Sequence, residues 1–321
     1  MFKFIIRRLI LTLPQIVVLS FVVFLLAQAM PGDALTGLID PNISPEAIEA
    51  QREALGLNNP WYIQYWDWFR GILQGDFGRS FRNQMPVTEI IGQRLYNTLA
   101  LSVLTLVIQY VIALPLGIIA GRYNGTWKDR IISIYSFLAL ALPSFTVGLL
   151  VLFTFGFQLG WFPTGGSVSN AASQAGGFEY FMSRLQHMFL PALSLAIVST
   201  TGIIQYLRSE IVDLESKEFI VTARAKGADE KRVYNKHVFR NALLPIASFL
   251  GFQIAFTIGG AIFIESIFSF PGMGELMIGS ITTRDFSVMT ALILMFGIAS
   301  ILGALLSDII LTIVDPRIRI K

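Results

Sequence analysis

Six long runs of apolar residues divide this chain of 321 residues. A helix that rises about 1.5 Å per residue needs roughly 20 apolar residues to cross a bilayer. Hydrophobic residues make up 54% of the chain and charged residues only 14%, which is too apolar for a soluble domain of this length. The sequence therefore predicts an all-α integral membrane protein with six transmembrane helices. The runs cover residues 9–29, 98–120, 132–158, 188–207, 243–267 and 289–312.

The positions of lysine and arginine predict the orientation of these helices. With the N-terminus inside, the segments 1–8, 121–131, 208–242 and 313–321 face the cytoplasm and hold 17 of the 24 lysines and arginines. Cytoplasmic segments of membrane proteins are enriched in these two residues. We therefore expect both termini and the long charged segment before the fifth run to be cytoplasmic.

The first run has an alternative interpretation as a signal peptide. It follows a basic start, and Ala27-Gln28-Ala29 is similar to a cleavage site. The apolar core from Leu9 to Ala27 is long for a signal peptide and sufficient for a span. We favour the uncleaved transmembrane helix.

Several classes of function are excluded by composition and motifs. The chain has no cysteine, and its two histidines, His187 and His237, have no histidine partner at ligand spacing. No metal site, catalytic triad or cofactor motif is therefore predicted, and the chain is not expected to be an enzyme. The turn-rich stretch 75–80 lacks the Gly-Lys of a phosphate-binding P-loop, so we expect it to be structural. A net charge of +3 is too small to suggest nucleic acid.

The cytoplasmic segment 218–236 has the features of a protein-docking element. Small residues alternate with bases between Val221 and Ala228, and an acidic-basic run follows. Alanine favours helix and glycine ends it, so we expect a helix to Lys226, a turn at Gly227 and a second helix. A groove in a partner would fit its small side chains, and exposed ion pairs would add little. The alternative is a solvated basic loop. The candidate docking residues are Thr222, Ala223, Arg224, Lys226, Gly227, Ala228, Asp229 and Arg232.

Polar residues inside the apolar runs are candidates for lining a pathway. Each has an alternative role, because polar side chains also form hydrogen bonds between membrane helices. The spacing of Gly117 and Gly121 favours close helix packing, and Asp308 is placed to pair with a basic residue near the inner surface. The candidate lining residues are Gln109, Gln205, Gln253 and Thr257.

An aromatic helix is predicted in the first external segment, at residues 61–69. Trp61, Trp66 and Trp68 alternate there with tyrosines and with Asp67. Such a helix suits the boundary between membrane and water. Packing against the external ends of the spans explains the same pattern equally well.

A combination of motifs resembles the B-type permease subunits of oligopeptide and dipeptide ABC importers. The resemblance extends from the first span to the last residues, and it is more specific than any motif alone. It departs from the wider superfamily at Val221, where the usual residue is glutamate. The motifs are Pro31-Gly-Asp33, Gly75-Asp-Phe-Gly-Arg-Ser80, Thr222-Ala-Arg-Ala-Lys-Gly227, Arg240-Asn-Ala-Leu-Leu-Pro245, Phe268-Ser-Phe-Pro-Gly-Met-Gly274 and Val314-Asp-Pro-Arg317.

This resemblance implies a type I ABC importer permease with an external domain after the first helix. It divides the chain into a first transmembrane helix (1–29), an external domain (30–95), a permease domain (96–315) with the coupling segment 208–240, and a tail (316–321). The implied location is the bacterial or archaeal plasma membrane. The candidate docking residues would then bind an ATPase, and a binding protein outside would meet the loop of Phe270, Pro271, Gly272 and Gly274.

The implied partners are a second, C-type permease, two ATPase subunits and an extracytoplasmic peptide-binding protein. No cofactor is expected on this chain, because ATP and magnesium would bind the ATPase subunits. Nickel complexes or heme are alternative cargoes for the same machinery. A stand-alone carrier or channel is a more distant alternative, since it leaves the charged segment 208–240 unexplained.

Overall fold

The computed structural model describes residues 2–30, 44–54, 56–80, 82–239, 241–243, 246, 250–251, 253 and 261–314. Helices account for most of these residues. Two of the helices, α6 and α10, continue into π-helical turns at Leu152–Gln158 and Val233–Val238. In chain order the helices are α1 (Phe2–Ala29), α2 (Pro45–Ala54), α3 (Trp61–Leu73), α4 (Val87–Arg122), α5 (Trp127–Ala141), α6 (Ser144–Val151), α7 (Asn170–Ala175), α8 (Gly177–Glu215), α9 (Glu218–Ala225), α10 (Glu230–Arg232), α11 (Ile262–Ile267), α12 (Met273–Thr283) and α13 (Phe286–Val314).

Among the described residues, four helices are long and apolar enough to cross a membrane. A fifth candidate is α5 followed by Ser144–Gln158, a pair bent by 105°. The predicted all-α membrane protein is thereby confirmed. The fifth predicted run, 243–267, lies mostly outside the described residues, so the number six stays a prediction. The four spans are Ile5–Ala29, Val87–Arg122, Gly177–Glu215 and Phe286–Ile313.

The bend in the third predicted run, 132–158, has its cause at Pro143. Leu142, which precedes this proline, is extended (φ −87°, ψ 129°), as a residue before proline prefers. The carbonyl of Pro143 then accepts the amides of Thr146 and Val147 and starts α6. The run that the sequence predicted as one span is thus two helices.

Helices α4 and α8 pack together along most of their length. A Cβ added to Gly121 would lie 2.7 Å from the Cβ of Ile211, and one added to Gly117 would lie 3.0 Å from Leu207. The two helices approach so closely because both positions lack a side chain, which is the role that their spacing predicted. This pair forms the centre of the molecule.

The N-terminal helix α1 packs against the C-terminal helix α13. A Cβ added to Gly297 would lie 2.5 Å from a methyl group of Leu19. Near the other end of α13, the guanidinium of Arg8 lies 2.8 Å from the carboxylate of Asp308. The predicted pairing of Asp308 with a basic residue is therefore present.

The stretch Gly75–Ser80 closes a tight loop at the start of α4. Gly78 donates its amide to Asp76 Oδ1 at 2.8 Å and accepts the amide of Val87 at 3.0 Å. The buried hydroxyl of Ser80 donates to the carboxylate of Asp285, just before α13. The loop holds α4 against α13, which agrees with its predicted structural role.

Candidate functional site

Helix α9 packs against the end of α8 that is cytoplasmic in the predicted orientation. It follows α8 after a two-residue turn. Ile220 is fully buried in a cluster that includes Leu207 and Ile211 of α8. The half-buried Ala223 and Ala228 pack against the same cluster. Burial of this inner face fixes α9 on the body of the chain.

Two large apolar side chains of α9, Phe219 and Val221, lie on either side of the buried Ile220, about 200° apart around the helix. They are 44% and 56% exposed. Thr222, Ala225 and Lys226 are exposed beside them. Apolar side chains left exposed together on a short helix are typical of a protein interface.

This arrangement changes part of the sequence-based account. Ala223 and Ala228 were expected to fit a partner, but they are half-buried against their own chain. Small residues are needed there because α9 lies close to the base of α8. Phe219 and Val221 were missed as surface anchors. The sequence pattern could have indicated them. An amphipathic helix here would bury Ile220, and its two neighbours would then be exposed on the flanks.

Gly227 ends α9 in a Schellman turn. Its φ is +76°, in the left-handed region that glycine adopts without a steric cost. The amide of Gly227 bonds the carbonyl of Arg224 at 2.9 Å, and that of Ala228 bonds the carbonyl of Ala223 at 3.1 Å. The predicted helix end at Gly227 is confirmed. Gly227 itself is exposed, with no atom within 4 Å of an added Cβ.

A salt bridge within the chain joins the two sides of this turn. The Arg224 guanidinium donates to Glu230 at 2.8 and 3.3 Å. Glu230 therefore pairs with Arg224 of its own chain. Both side chains are more than a third exposed, so the pair contributes at most about 1 kcal/mol. Asp229 and Arg232 remain exposed beside it.

Tyr234 connects the docking segment to the ends of α4 and α8. Its hydroxyl donates to the carboxylate of Glu215, and the Arg122 guanidinium lies 4.8 Å from the centre of its ring. Burial, together with the Glu215 hydrogen bond, raises the pKa of Tyr234 to about 12. The hydroxyl therefore stays a donor at physiological pH. This contact joins the segment that carries Tyr234 to the end of α8.

A second contact ties the α4–α5 turn to α8. Arg208 donates to both carboxylate oxygens of Asp129, at 2.6 and 2.9 Å, and to Asn124 at 2.8 Å. Asp129 Oδ2 also accepts the amide of Gly125 at 2.8 Å. Two parallel bonds fix the planes of both groups. The ends of α4, α5 and α8 that are cytoplasmic in the predicted orientation therefore form one block, and α9 packs against its α8 part.

The candidate pathway residues have different surroundings. Gln109 is buried and donates to the Ser199 carbonyl at 3.0 Å, so its amide nitrogen joins α4 to α8. Gln253 accepts the hydroxyl of Tyr110 at 2.7 Å. The buried Nε2 of Gln205 has no hydrogen-bond partner among the described residues. Thr257 lies outside the described residues.

The external loop after α11 is folded inward. Phe270, Gly272 and Gly274 are buried, and Pro271 is half-buried. These residues were expected to face a binding protein, but in this structure they shape the loop, and of the four Pro271 alone is partly exposed. Residues 281–284, which lie beyond this loop at the end of α12, are exposed.

The buried carboxylate of Glu265 organises this loop. Its Oε2 accepts the amides of Gly274 and Glu275, at 2.6 and 3.2 Å, at the N-terminus of α12. Its Oε1 accepts the Thr98 hydroxyl at 2.8 Å, and Thr98 in turn accepts the Met273 amide at 2.8 Å. A carboxylate at a helix N-terminus is stabilised by the exposed amides and the helix dipole. The sequence pattern gave no indication of these partners of Glu265, because they come from two other helices of the chain, α4 and α12.

Further polar contacts extend this network across the same end of the molecule. Arg94 lies 2.9 Å from Glu275, and Asn97 donates to the Pro271 carbonyl at 2.8 Å. The buried Arg184 of α8 donates to Asn97 at 2.9 Å. Helices α4, α8 and α12 are thus joined at the external end, opposite the block that carries α9. Among the described residues, no group of three acidic or histidine side chains could hold a metal ion.

This arrangement of helices is that of an ABC importer permease. The solved structure described as "Inward facing conformations of the MetNI methionine ABC transporter: CY5 native crystal form" matches with a TM-score of 0.55. The match covers 70% of this chain and 96% of that one, at 15% sequence identity. At that identity the likeness shows the fold alone.

The chain belongs to the family of binding-protein-dependent transport system inner membrane components, which matches residues 113–320. The N-terminal description of the same systems matches residues 1–102. The chain is therefore a multi-pass inner membrane protein and the permease component of an ABC transporter, not itself an ATPase.

Curated relatives match over their full length. The oligopeptide transport system permease protein AppB of Bacillus subtilis (strain 168) is 39% identical over 99% of this chain and 100% of its own. The glutathione transport system permease protein GsiC of Escherichia coli (strain K12) is 34% identical over 100% of both chains. The GsiC of Salmonella choleraesuis (strain SC-B67) is 32% identical over the same span.

Proposed function

We propose that this chain forms half of the translocation pore of an ABC importer for oligopeptides or dipeptides. Two full-length relatives support this cargo, because one is named for oligopeptides and the other for glutathione, itself a small peptide. The observation that carries the proposal is α9, which exposes Phe219 and Val221 while its buried Ile220 fixes it to the base of α8.

Nucleotide-driven closure of the ATPase subunits would act on this chain at α9. Phe219 and Val221 supply the apolar contact, and the Gly227 turn supplies a flat, open edge. Ala223 and Ala228 support the surface from beneath. The other sequence-derived docking residues complete its polar rim: Thr222, Arg224, Lys226, Asp229 and Arg232.

Movement of α9 would reach the external end through α8. Tyr234–Glu215 and Arg208–Asp129 join the docking segment and the α4–α5 turn to the cytoplasmic end of that helix. At the opposite end Arg184 joins α8 to Asn97 and through it to the Pro271 loop. A rigid helix with contacts at both ends suits alternating access, in which closing one end opens the other.

The proposed assembly contains four kinds of partner. Two cytoplasmic ATPase subunits bind ATP and magnesium, and a C-type permease completes the pore. An extracytoplasmic binding protein delivers the peptide to the external end, and the bilayer surrounds the spans. In the proposed orientation both termini are cytoplasmic. The proposed division of the chain is 1–29, 30–95, 96–315 and 316–321.

Among the pathway candidates, Gln205 suits contact with a passing peptide best. Its Nε2 is buried without a described partner, and an amide can bond peptide groups without a fixed charge. Gln109 and Gln253 have described hydrogen-bond partners, so bonding a peptide would require these side chains to rearrange.

Copurification from native membranes tests the assembly and the cargo together. The tagged chain is extracted in detergent and its partners are identified by mass spectrometry, after which the complex is reconstituted in liposomes for peptide uptake. We expect two ATPases, a second permease and a peptide-binding protein, with uptake that requires ATP. A nickel- or heme-binding partner would contradict the peptide cargo alone. Flux through the isolated chain without ATP would contradict the whole proposal.

A further inference from the structure

Helix α3 has three faces of different chemistry. With Tyr65 as the origin and about 100° per residue, Trp61, Tyr65 and Trp68 share one face. Tyr62, Trp66 and Leu73 occupy the adjoining face, between about 60° and 100°. On the third face the exposed Asp67, Arg70 and Gln74 lie between about 140° and 200°.

The first face packs against α1. The Tyr65 ring lies edge-on to Phe21 and to Phe24, with 5.4 Å between ring centres in each pair. Its hydroxyl lies 3.0 Å from that of Ser20. The packing interpretation of the aromatic pattern therefore accounts for this face of α3, and only for this face.

These contacts fix the depth of α3 along α1. Ser20 lies nine residues before Ala29, where α1 ends, and that distance corresponds to about 13 Å along a helix. At the end itself, Gln28 donates to Gln64 at 2.8 Å. Helix α3 is thus level with the last quarter to half of a membrane span, which is the outer leaflet in the proposed orientation.

The second face of α3 is exposed although it is apolar. Tyr62, Trp66 and Leu73 are 57%, 60% and 72% exposed. Val22 and Leu25 of α1, which lie at the same level as the contacts with α3, are exposed as well. Both helices therefore expose large apolar side chains at this depth.

We propose that α3 is a membrane-interface anchor whose Tyr62–Trp66–Leu73 face lies among the headgroups and upper acyl chains of the outer leaflet. Three observations select lipid as the occupant: the depth on α1, the apolar side chains that both helices expose at that depth, and the rings of Tyr62 and Trp66, which combine an apolar body with a polar tip. Asp67 and Arg70 face the water. Ile63, on that side of α3, is the apolar exception.

The anchor would hold the external segment flat on the membrane. Residues 74–86 follow α3 directly and lead through the Gly75–Ser80 loop into α4. Fixing α3 in the interface therefore fixes the height of this loop, which is joined to Asp285 before α13. This role does not depend on the cargo.

Spin labels at single cysteines test the proposal directly, because the natural chain contains no cysteine. Trp66→Cys and Leu73→Cys report the proposed lipid face. Asp67→Cys and Arg70→Cys are matched controls on the polar face of the same helix. Each labelled chain is assembled with cysteine-free partner subunits in nanodiscs. Power saturation then compares access to oxygen, which concentrates in lipid, with access to a water-soluble nickel chelate.

We expect labels at 66 and 73 to favour oxygen by a severalfold ratio and labels at 67 and 70 to favour the nickel chelate. Equal nickel access on both faces would overturn the proposal, because α3 would then stand in water. Exclusion of both reagents at 66 and 73 would also overturn it, because a protein partner would then cover the face. All four side chains are exposed, so labelling leaves the packing on α1 intact.

Discussion

The buried carboxylate of Glu265 explains why glycines stand at positions 272 and 274. A Cβ on Gly272 would lie 2.3 Å from that carboxylate, and one on Gly274 would lie 2.5 Å from the backbone of Ile262. The first turn of α12 approaches Glu265 closely enough to donate two amides because these side chains are absent. A single carboxylate thus determines the local sequence of a loop nine residues further along the chain.

Replacing Gly272 with alanine is expected to destabilise the external loop. The new methyl group must displace a buried, hydrogen-bonded carboxylate, and overpacking of this kind costs about 1–3 kcal/mol. Gly279→Ala is the matched control, because an added Cβ there has no atom within 4 Å and alanine favours helix. Thermal unfolding of the purified protein in detergent measures both. An unchanged midpoint for Gly272→Ala would contradict the role of Glu265.

Among the helices, α9 has one face that stabilises the fold and another that is available to a partner. The inner face is buried on α8 and the outer face is open, so a substitution affects either stability or docking, according to its face. The Schellman turn at Gly227 separates α9 from α10 and leaves an open edge. The turn tolerates asparagine better than β-branched residues, because asparagine adopts positive φ at a smaller cost.

Gly227→Asn is expected to weaken ATPase docking while the chain still folds and inserts. The side chain would protrude from the docking edge, and a steric misfit of about 1–3 kcal/mol reduces affinity about fivefold to 150-fold. Gly125→Asn is the matched control: it has the same φ of +76°, equally open space and a cytoplasmic position away from α9. Binding of purified ATPase to nanodisc-reconstituted permease distinguishes them. Equal affinity in both variants would show that the Gly227 edge is not at the interface.

At the scale of the whole molecule, contacts at both ends of α8 connect docking with the external loop. Prediction from sequence succeeded where the cause was local: four apolar runs became spans, and Gly227 ended a helix. It did not separate Pro143, which breaks a helix, from Pro115, which lies within α4. The sequence also predicted an external surface at Phe270 and Gly272. The loop folds around the carboxylate of Glu265 instead, and this carboxylate is hydrogen-bonded to Thr98, 167 residues away in sequence.

Tyr234→Phe is expected to uncouple hydrolysis from transport. The variant keeps the ring near Arg122 but loses the hydrogen bond to Glu215, so the ATPase should still dock while less movement reaches α8. We expect peptide uptake per ATP to fall severalfold. Tyr96→Phe, an exposed tyrosine at the external end, is the control.

The pH dependence of this contact follows from the raised pKa of Tyr234. The hydrogen bond should contribute fully below about pH 10, the ordinary tyrosine pKa, and be lost as the pH rises through about 12. The difference in peptide uptake per ATP between Tyr234→Phe and the natural chain should therefore be constant from pH 6 to 9. If Tyr234→Phe takes up as much peptide per ATP as the natural chain, the proposed connection from Tyr234 through Glu215 to α8 is wrong.

In the proposed assembly the outer face of α9 docks on an ATPase, and crosslinking from this face is the sharpest test of that contact. Val221→Cys introduces one cysteine into a chain that has none, on an exposed side chain, and Phe178→Cys does the same at the start of α8. Each is labelled with a photoactivatable maleimide and assembled with cysteine-free partners in nanodiscs. We expect a crosslinked adduct with the ATPase from position 221 and none from position 178. The absence of an ATPase adduct at 221, in a complex that still hydrolyses ATP, would contradict it.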